Sequence, residues 1–338
     1  MIWLDNTKAV RASHHSGLLR VAGELQLRLG GFATGVAGLD WVKQAEDQHW
    51  FLTAEIFTPD ERPGWADLLV ERPCRMAAIF HDAIPLKLPG ITWPQSVARH
   101  PAYLKMLAQF DMIWAVSQTS RNELLGYWQW LGVKAPPQVK VLPLGADFAG
   151  NARQVKPRSQ TTRMLLSVGI LEPRKNQEFL LEVCDQLWRE GLDFELHLAG
   201  RINPHFGRPI QSRIKRMQKQ HPGLHYHGAA SDALLTQLYN KTRATVFPTI
   251  AEGCGLPLIE SLWRGVPCVA SDLAVLQENA APGGAVLVEL NDHTAWRDIL
   301  RRVLTDDTYH TQLSHAAIAR KLTTWQDTAD TVRSEFGA

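Results

Sequence analysis

Cysteine is scarce in this chain. There are four in 338 residues, Cys74, Cys184, Cys254 and Cys268, and no CxxC pair among them. That excludes a disulfide scaffold or a paired-thiol redox motif, and it suits small buried residues of a reducing compartment. No apolar run approaches the roughly 18 residues that span a bilayer. The opening Met1-Ile2-Trp3-Leu4-Asp5 has neither a basic segment nor the long apolar core of a secretory signal. A cytoplasmic location is the resulting expectation. Blocks of one charge are missing too. The formal net charge is +2, from 36 Lys and Arg against 34 Asp and Glu. A dedicated nucleic-acid binder would be far more basic, so no nucleic-acid partner is expected. GxxxxGK[ST] is absent, which counts against a P-loop NTPase. His14 and His15 are adjacent, a poor spacing for joint metal ligation, and no internal repeat or low-complexity segment occurs.

The length suits two domains, since one domain usually takes roughly 100–200 residues. Short apolar runs alternate with amphipathic stretches. Met76 to Phe80, Met112 to Val116 and Val139 to Leu142 read as buried strands, each followed by polar or Gly/Pro residues and a helical segment. Residues 151–163 are polar, contain Pro157 and lack a period, and read as a linker between a first domain, 1–150, and a second, 164–321. The alternation then restarts. Strands are expected at Met164 to Val168, Phe194 to Leu198, Leu224 to His227, Ala244 to Phe247, Val266 to Ala270 and Ala285 to Val288. Helices are expected at Asn176 to Arg189 and Leu234 to Asn240. Such alternation builds a doubly wound parallel sheet, with ligands at the carboxyl ends of the strands. Two halves of this kind give an α/β protein of two Rossmann-like domains.

Residues 247–272 carry the strongest signal. A strand ends at Phe247, and Gly253 and Gly255 then permit unusual dihedrals or a close backbone approach. Pro257 suits the first turn of a helix. Gly255 and Leu256 therefore present free N–H groups at a helix N-terminus, which is a phosphate-binding arrangement. Glu252 precedes the loop and Glu260 lies in the first turn or so of the helix, so two carboxylates flank one anion site. One suits a sugar's hydroxyls and the other a ribose diol.

This segment resembles the signature of the retaining nucleotide-sugar glycosyltransferases of the GT-B fold, family four, with its Glu, seven residues, Glu inside "EGFGLP…E…G.P". Cys254 stands where the family often has Phe. The resemblance extends over nearly the whole chain. Ser16-Gly17-Leu18-Leu19-Arg20 is similar to the family's N-terminal glycine loop, which implies that N–H groups at Gly17 approach the donor diphosphate. Phe80-His81-Asp82-Ala83-Ile84-Pro85 is similar to "HDLIP", which places His81 near the donor sugar. Ala115 to Arg121 is similar to "VS..S", with Ser117 as a helix cap. In Val168-Gly169-Ile170-Leu171-Glu172-Pro173-Arg174-Lys175-Asn176, Lys175 matches a diphosphate-binding Lys, while Ile170 holds the place of the partner Arg and Arg174 is the candidate substitute. The tail from Trp325 is similar to the closing segment whose helix, 322–338 here, crosses back onto the first domain.

The resemblance thus implies a GT-B enzyme, two parallel-sheet domains facing across a cleft. Its donor is a nucleotide-diphosphate sugar and its acceptor a glycan or a lipid-linked glycan, as in surface polysaccharide or glycoconjugate synthesis. Domain closure brings His81 and Gly17 to a donor held by Arg174, Lys175, Glu252, Gly255, Leu256 and Glu260. Glu252, His81 and Lys175 are the catalytic candidates. No metal or other cofactor is expected, in keeping with the absence of Asp-x-Asp. Trp128 and Trp130 leave room for peripheral contact with the inner face of a membrane. A GT-B sugar-nucleotide epimerase and a non-catalytic nucleotide-sugar-binding subunit remain open beside the transferase.

Overall fold

The computed structural model describes residues 1–11, 17–147, 152–155 and 162–337. Among these residues, twelve strands form two sheets of six. The first sheet holds β1 (Ile2–Asp5), β2 (Ala33–Val36), β3 (Trp50–Thr53), β4 (Arg75–Phe80), β5 (Met112–Ala115) and β6 (Gln138–Val141), in the order β2-β1-β3-β4-β5-β6. The second holds β7 (Met164–Val168), β8 (Glu195–Ala199), β9 (Leu224–Tyr226), β10 (Ala244–Phe247), β11 (Cys268–Ser271) and β12 (Ala285–Val288), in the order β12-β11-β10-β7-β8-β9. Every pairing is parallel. Strands such as β3, β5, β10 and β11 are buried along their whole length, as helices on both faces of a parallel sheet require.

The chain divides into two units, residues 1–145 with 323–338 and residues 146–322. In each, the strand order reverses once. The first sheet reverses between β1 and β3, and the second between β7 and β10. A doubly wound sheet leaves a crevice at such a point, because the connections on either side run to opposite faces.

The first half of the first sheet was not foreseen from the sequence. β1 and β3 are four residues each, too short to show a period. β2 is Ala33-Thr34-Gly35-Val36, an outer strand with little side chain to read. β11 starts at Cys268, two residues later than Val266. Gly265 is left-handed at φ +67°, and Pro267 has no N–H to give a ladder, although its carbonyl accepts from Thr245 at 2.9 Å. Part of the segment read as a linker, 151 and 156–161, lies outside the described residues. Residues 152–155 are fastened to the second unit. Arg153 Nη2 donates to the carbonyls of Ala317, Ile318 and Arg320 at 3.1, 3.1 and 2.7 Å.

The last helix, Trp325–Glu335, belongs to the first unit. Thr324 and Asp327 form a reciprocal capping box at its start. Trp325 is 1% exposed. Phe336 stacks on Trp50 with ring centroids 4.2 Å apart, Thr328 Oγ1 donates to the Pro143 carbonyl at 2.8 Å, and Lys140 pairs with Glu335. Gly145 is obligatory there, since a Cβ would stand 2.3 Å from the Trp325 nitrogen. Among the described residues no helix is long and apolar enough to cross a membrane.

Trp325→Ala is expected to destabilise the first unit by about 3–5 kcal/mol, the usual cost of emptying a buried tryptophan site. Gly145→Ala is expected to loosen the same helix by collision. Urea unfolding of both variants, followed by tryptophan fluorescence, checks this. An unchanged midpoint in either would refute the anchoring role.

Candidate active site at the reversal of the second sheet

Two loops meet beyond the carboxyl ends of β7 and β10. The β7 loop leaves Gly169 and turns through a short helix, Pro173–Lys175. Asn176 then adopts the left-handed φ of +56° and the helix Gln177–Arg189 begins. Gln177 braces this loop from within, its Nε2 donating to the Ile170 carbonyl at 2.8 Å. A Cβ on Gly200 would lie 1.8 Å from the Gly169 oxygen, so only glycine lets β8 leave the sheet this close to the loop.

The β10 loop runs to the helix Leu256–Trp263. Gly255, just before it, is left-handed at φ +84°, and a Cβ there would come within 2.4 Å of Leu276 Cδ2. Pro257 lies in the first turn. The two loops are stitched together by the Ile250 N–H, which donates to the Arg174 carbonyl at 2.9 Å. Asn279 Nδ2 fixes the Cys254 carbonyl at 2.8 Å.

This stitching brings four charges together. Lys175 Nζ lies 2.6 Å and Arg174 Nη1 3.0 Å from Glu252 Oε1. Arg174 Nη2 lies 2.8 Å from Glu172 Oε1, and the Thr249 hydroxyl 2.6 Å from Glu252 Oε1. The Lys175 and Glu252 side chains are only 11% and 9% exposed. Burial works to raise the Glu252 carboxyl, but Lys175 and Arg174 outweigh it and hold the group below its ordinary value. Burial pulls the Lys175 ammonium down, with Arg174 adding to this and Glu252 opposing it. The Cys254 thiol is pushed up to about 12, by burial first and by Glu252 next, so it is no thiolate nucleophile.

Arg174, Lys175, Glu252, Gly255, Leu256 and Glu260 all belong to the second unit. Leu256 is the first residue of its helix and Glu260 the fifth, 5% exposed. Gly17 and His81 belong to the first unit. Gly17 opens the helix Gly17–Leu29, while Ser16, like His14 and His15, lies outside the described residues. His81 follows β4 directly. Its Nε2 lies 2.9 Å from the Ala54 carbonyl, and burial lowers its pKa, so the ring is neutral and donates there. Ser117 caps the helix Gln118–Leu131 as read from the sequence, accepting from the Ser120 N–H at 2.9 Å.

Sequence reading missed Glu172 and Thr249, although both lie inside the segments it singled out. It also missed a buried network at the reversal of the first sheet. There Arg62 Nη1 lies 2.8 Å from Asp5 Oδ2, Arg62 Nη2 also pairs with Glu55, and the guanidinium stacks 3.4 Å above the Phe57 ring. Asp5 and Arg62 are 57 positions apart, and no local pattern announces them.

Comparison with known proteins fits this arrangement. Residues 149–320, half of the chain, match the family described as glycosyl transferases group 1. The chain belongs to that family. It is 28% identical over 220 residues to the serotype-specific mannosyltransferase WbdA of Escherichia coli, covering 60% of this chain and 26% of that protein. It therefore spans about a quarter of that relative's length. It is 23% identical over 305 residues to a D-inositol 3-phosphate glycosyltransferase of Nocardioides, covering 83% and 64% of the two chains. The crystal structure of Anabaena HepE in complex with UDP and glucose superposes with a TM-score of 0.70 at 14% identity, covering 99% of each chain. The fold of this family member is GT-B, with two Rossmann-like domains of parallel strands.

The Glu252 ion pairs set a pH dependence. Because its folded-state pKa lies below the ordinary value of 4.5, its contribution is complete above about pH 4.5 and is lost as pH falls through the folded value. Glu252→Gln leaves Lys175 buried beside a neutral partner, at a cost of about 3–5 kcal/mol at neutral pH. The gap between wild type and variant is expected to narrow as pH falls below about 4.5. Denaturation at pH 7 and pH 3.5 measures it, and a gap of equal size at both would contradict the assignment.

Proposed function

We propose that the chain transfers a glycosyl group from a nucleotide-diphosphate sugar to a glycan or lipid-linked acceptor, with retention, as a member of the GT-B family four. The observation that carries this reading is the Lys175, Arg174 and Glu252 cluster beside the Leu256–Trp263 N-terminus, at the reversal of a doubly wound sheet. Breaking the anomeric bond leaves negative charge on the bridging phosphate oxygen. Lys175, Arg174 and the Gly255 and Leu256 N–H groups meet that charge with donors already in place. In the protein alone, Glu252 keeps both cations paired. With donor bound, it turns to the sugar hydroxyls, and Glu260 to the ribose diol. With Cys254 held as a thiol, the simplest course is a same-face displacement in which the leaving phosphate takes the acceptor proton. The roles that the resemblance implies for Gly17 and His81 belong to the same proposal, and so does assembly of a surface polysaccharide.

The relatives that are mannosyltransferases favour a mannose-bearing donor. Contact with a membrane face would fall to Trp130, which is 79% exposed, and not to Trp128, which is in the core. Product analysis with donor alone separates transfer from epimerisation. A sugar-nucleotide product of altered configuration, formed without acceptor, would favour the epimerase.

Lys175→Ala is expected to lower kcat about 10²–10³-fold with donor and acceptor saturating, because the charge it meets grows in the transition state. Arg174 stands beside it, so the double variant should be worse than either single one. A rise in donor KM alone would make Lys175 a uniform binding contact. Transfer is also expected to persist in EDTA. Loss on chelation with rescue by a divalent ion would overturn the metal-independent reading.

A further inference from the structure

β8 and β9 carry a polar cluster for which the donor reading has no use. In their parallel register His197 stands beside His225, and Glu195 lies two positions before His197. Side chains at this spacing leave one face of the sheet. On the opposite face the neighbouring Leu196, Leu198 and Leu224 are buried in the main core of the second unit. The histidine face begins at Leu166, which pairs with His197 and packs under Leu235, Leu238 and Tyr239. Moving outward from β7, aliphatic residues give way to imidazoles, and β9 is the last strand of the sheet.

The ligand atoms of Glu195, His197 and His225 lie within 4.8 Å of one another. His197 Nε2 is 2.9 Å from Glu195 Oε2, and its Nδ1 is 3.0 Å from His227 Nε2. The His225 and His227 rings stand 4.5 and 5.1 Å from the His197 ring. Packing alone does not ask for three imidazoles on adjacent strands, since leucines fill the equivalent places across the sheet.

We propose that Glu195, His197 and His225 form a binding site for a borderline divalent cation of the zinc type, with His227 as the hydrogen-bond partner that orients His197. Two ring nitrogens and one carboxylate oxygen form a donor set that such ions take, at roughly 2.0–2.2 Å, whereas magnesium and calcium prefer oxygen alone. The cation takes the His197 Nε2 lone pair, and the proton that Nε2 shared with Glu195 leaves to solvent. His227 passes its Nε2 proton along the 3.0 Å contact to His197 Nδ1 and takes one from solvent on its own Nδ1. Both rings end neutral, with one proton released and one taken up. A water completes the shell. The ion clips the outermost strand to its neighbour. Glu195 opens β8, whereas Lys175 and Glu252 follow the ends of β7 and β10. The site therefore acts on the sheet edge and not on the transfer step.

The test uses the full chain, stripped with EDTA and titrated with zinc chloride in a calorimeter, with melting followed in parallel. One zinc ion per chain and a raised melting temperature are expected, with no competition from magnesium. Glu195→Gln changes an exposed side chain, folds as the parent does, and should weaken binding roughly 10–100-fold; His227→Gln should do so to a similar degree, as losses of orienting partners do. His225→Gln should remove the one-to-one site. No zinc uptake, or uptake unchanged in both Glu195→Gln and His225→Gln, overturns the proposal. Because the readout is metal binding, either result leaves the reading of the donor site untouched.

Discussion

A lysine ammonium and a glutamate carboxylate 2.6 Å apart, both shielded from water, hold the loop after β7 against the loop after β10. Neither charge tolerates such burial alone, because removing an ion from water costs several kcal/mol unless an opposite charge and hydrogen bonds replace the solvent. The rest of the site follows from that need. Thr249 and Arg174 complete the shell of Glu252, Glu172 holds Arg174, and Asn203 Nδ2 holds Glu172 at 3.0 Å. Gly200 and Gly255 let the backbone come close enough for these side chains to meet. The four charges sum to zero, so each has an opposite partner in the protein alone.

The two units solve the same problem with different residues. Counted within its own unit, the second sheet runs 3-2-1-4-5-6 and the first 2-1-3-4-5-6. Each places buried charges at its reversal: Lys175, Arg174 and Glu252 in one, and Asp5, Glu55 and Arg62 in the other. In the first unit Thr53 Oγ1 also reaches Asp5, at 2.7 Å, and Glu55 is raised by burial and by Asp5. A reversal point gathers polar groups because neither face's helices cover it.

Much of the second unit was legible in its sequence. Its strands are apolar runs bounded by Gly and Pro, and its site lies in two contiguous segments, 168–176 and 247–272, where spacing along the chain is close to spacing in the fold. The first unit was less legible. β1 is only Ile2–Asp5, β2 offers four small residues, and Arg62 reaches Asp5 from a loop far along the chain. Arg174 was ambiguous for a related reason. A single arginine after a proline reads equally as a solvated charge, and only its contacts with Glu172, Glu252 and the Ala251 carbonyl show it facing inward.

The sequence by itself determined the strand and helix alternation of the second unit, the helix N-terminus behind Gly255 and the two glutamates with seven residues between them, because each is a local matter of periodicity, dihedral preference or spacing along the chain. Tertiary structure alone decided that Glu252 neutralises Lys175 across 77 positions and that His197, His225 and Glu195 share one face of an edge. Those outcomes depend on strand order and register, which are set by how buried surfaces fit together over the whole unit, and no short stretch of chain contains that information.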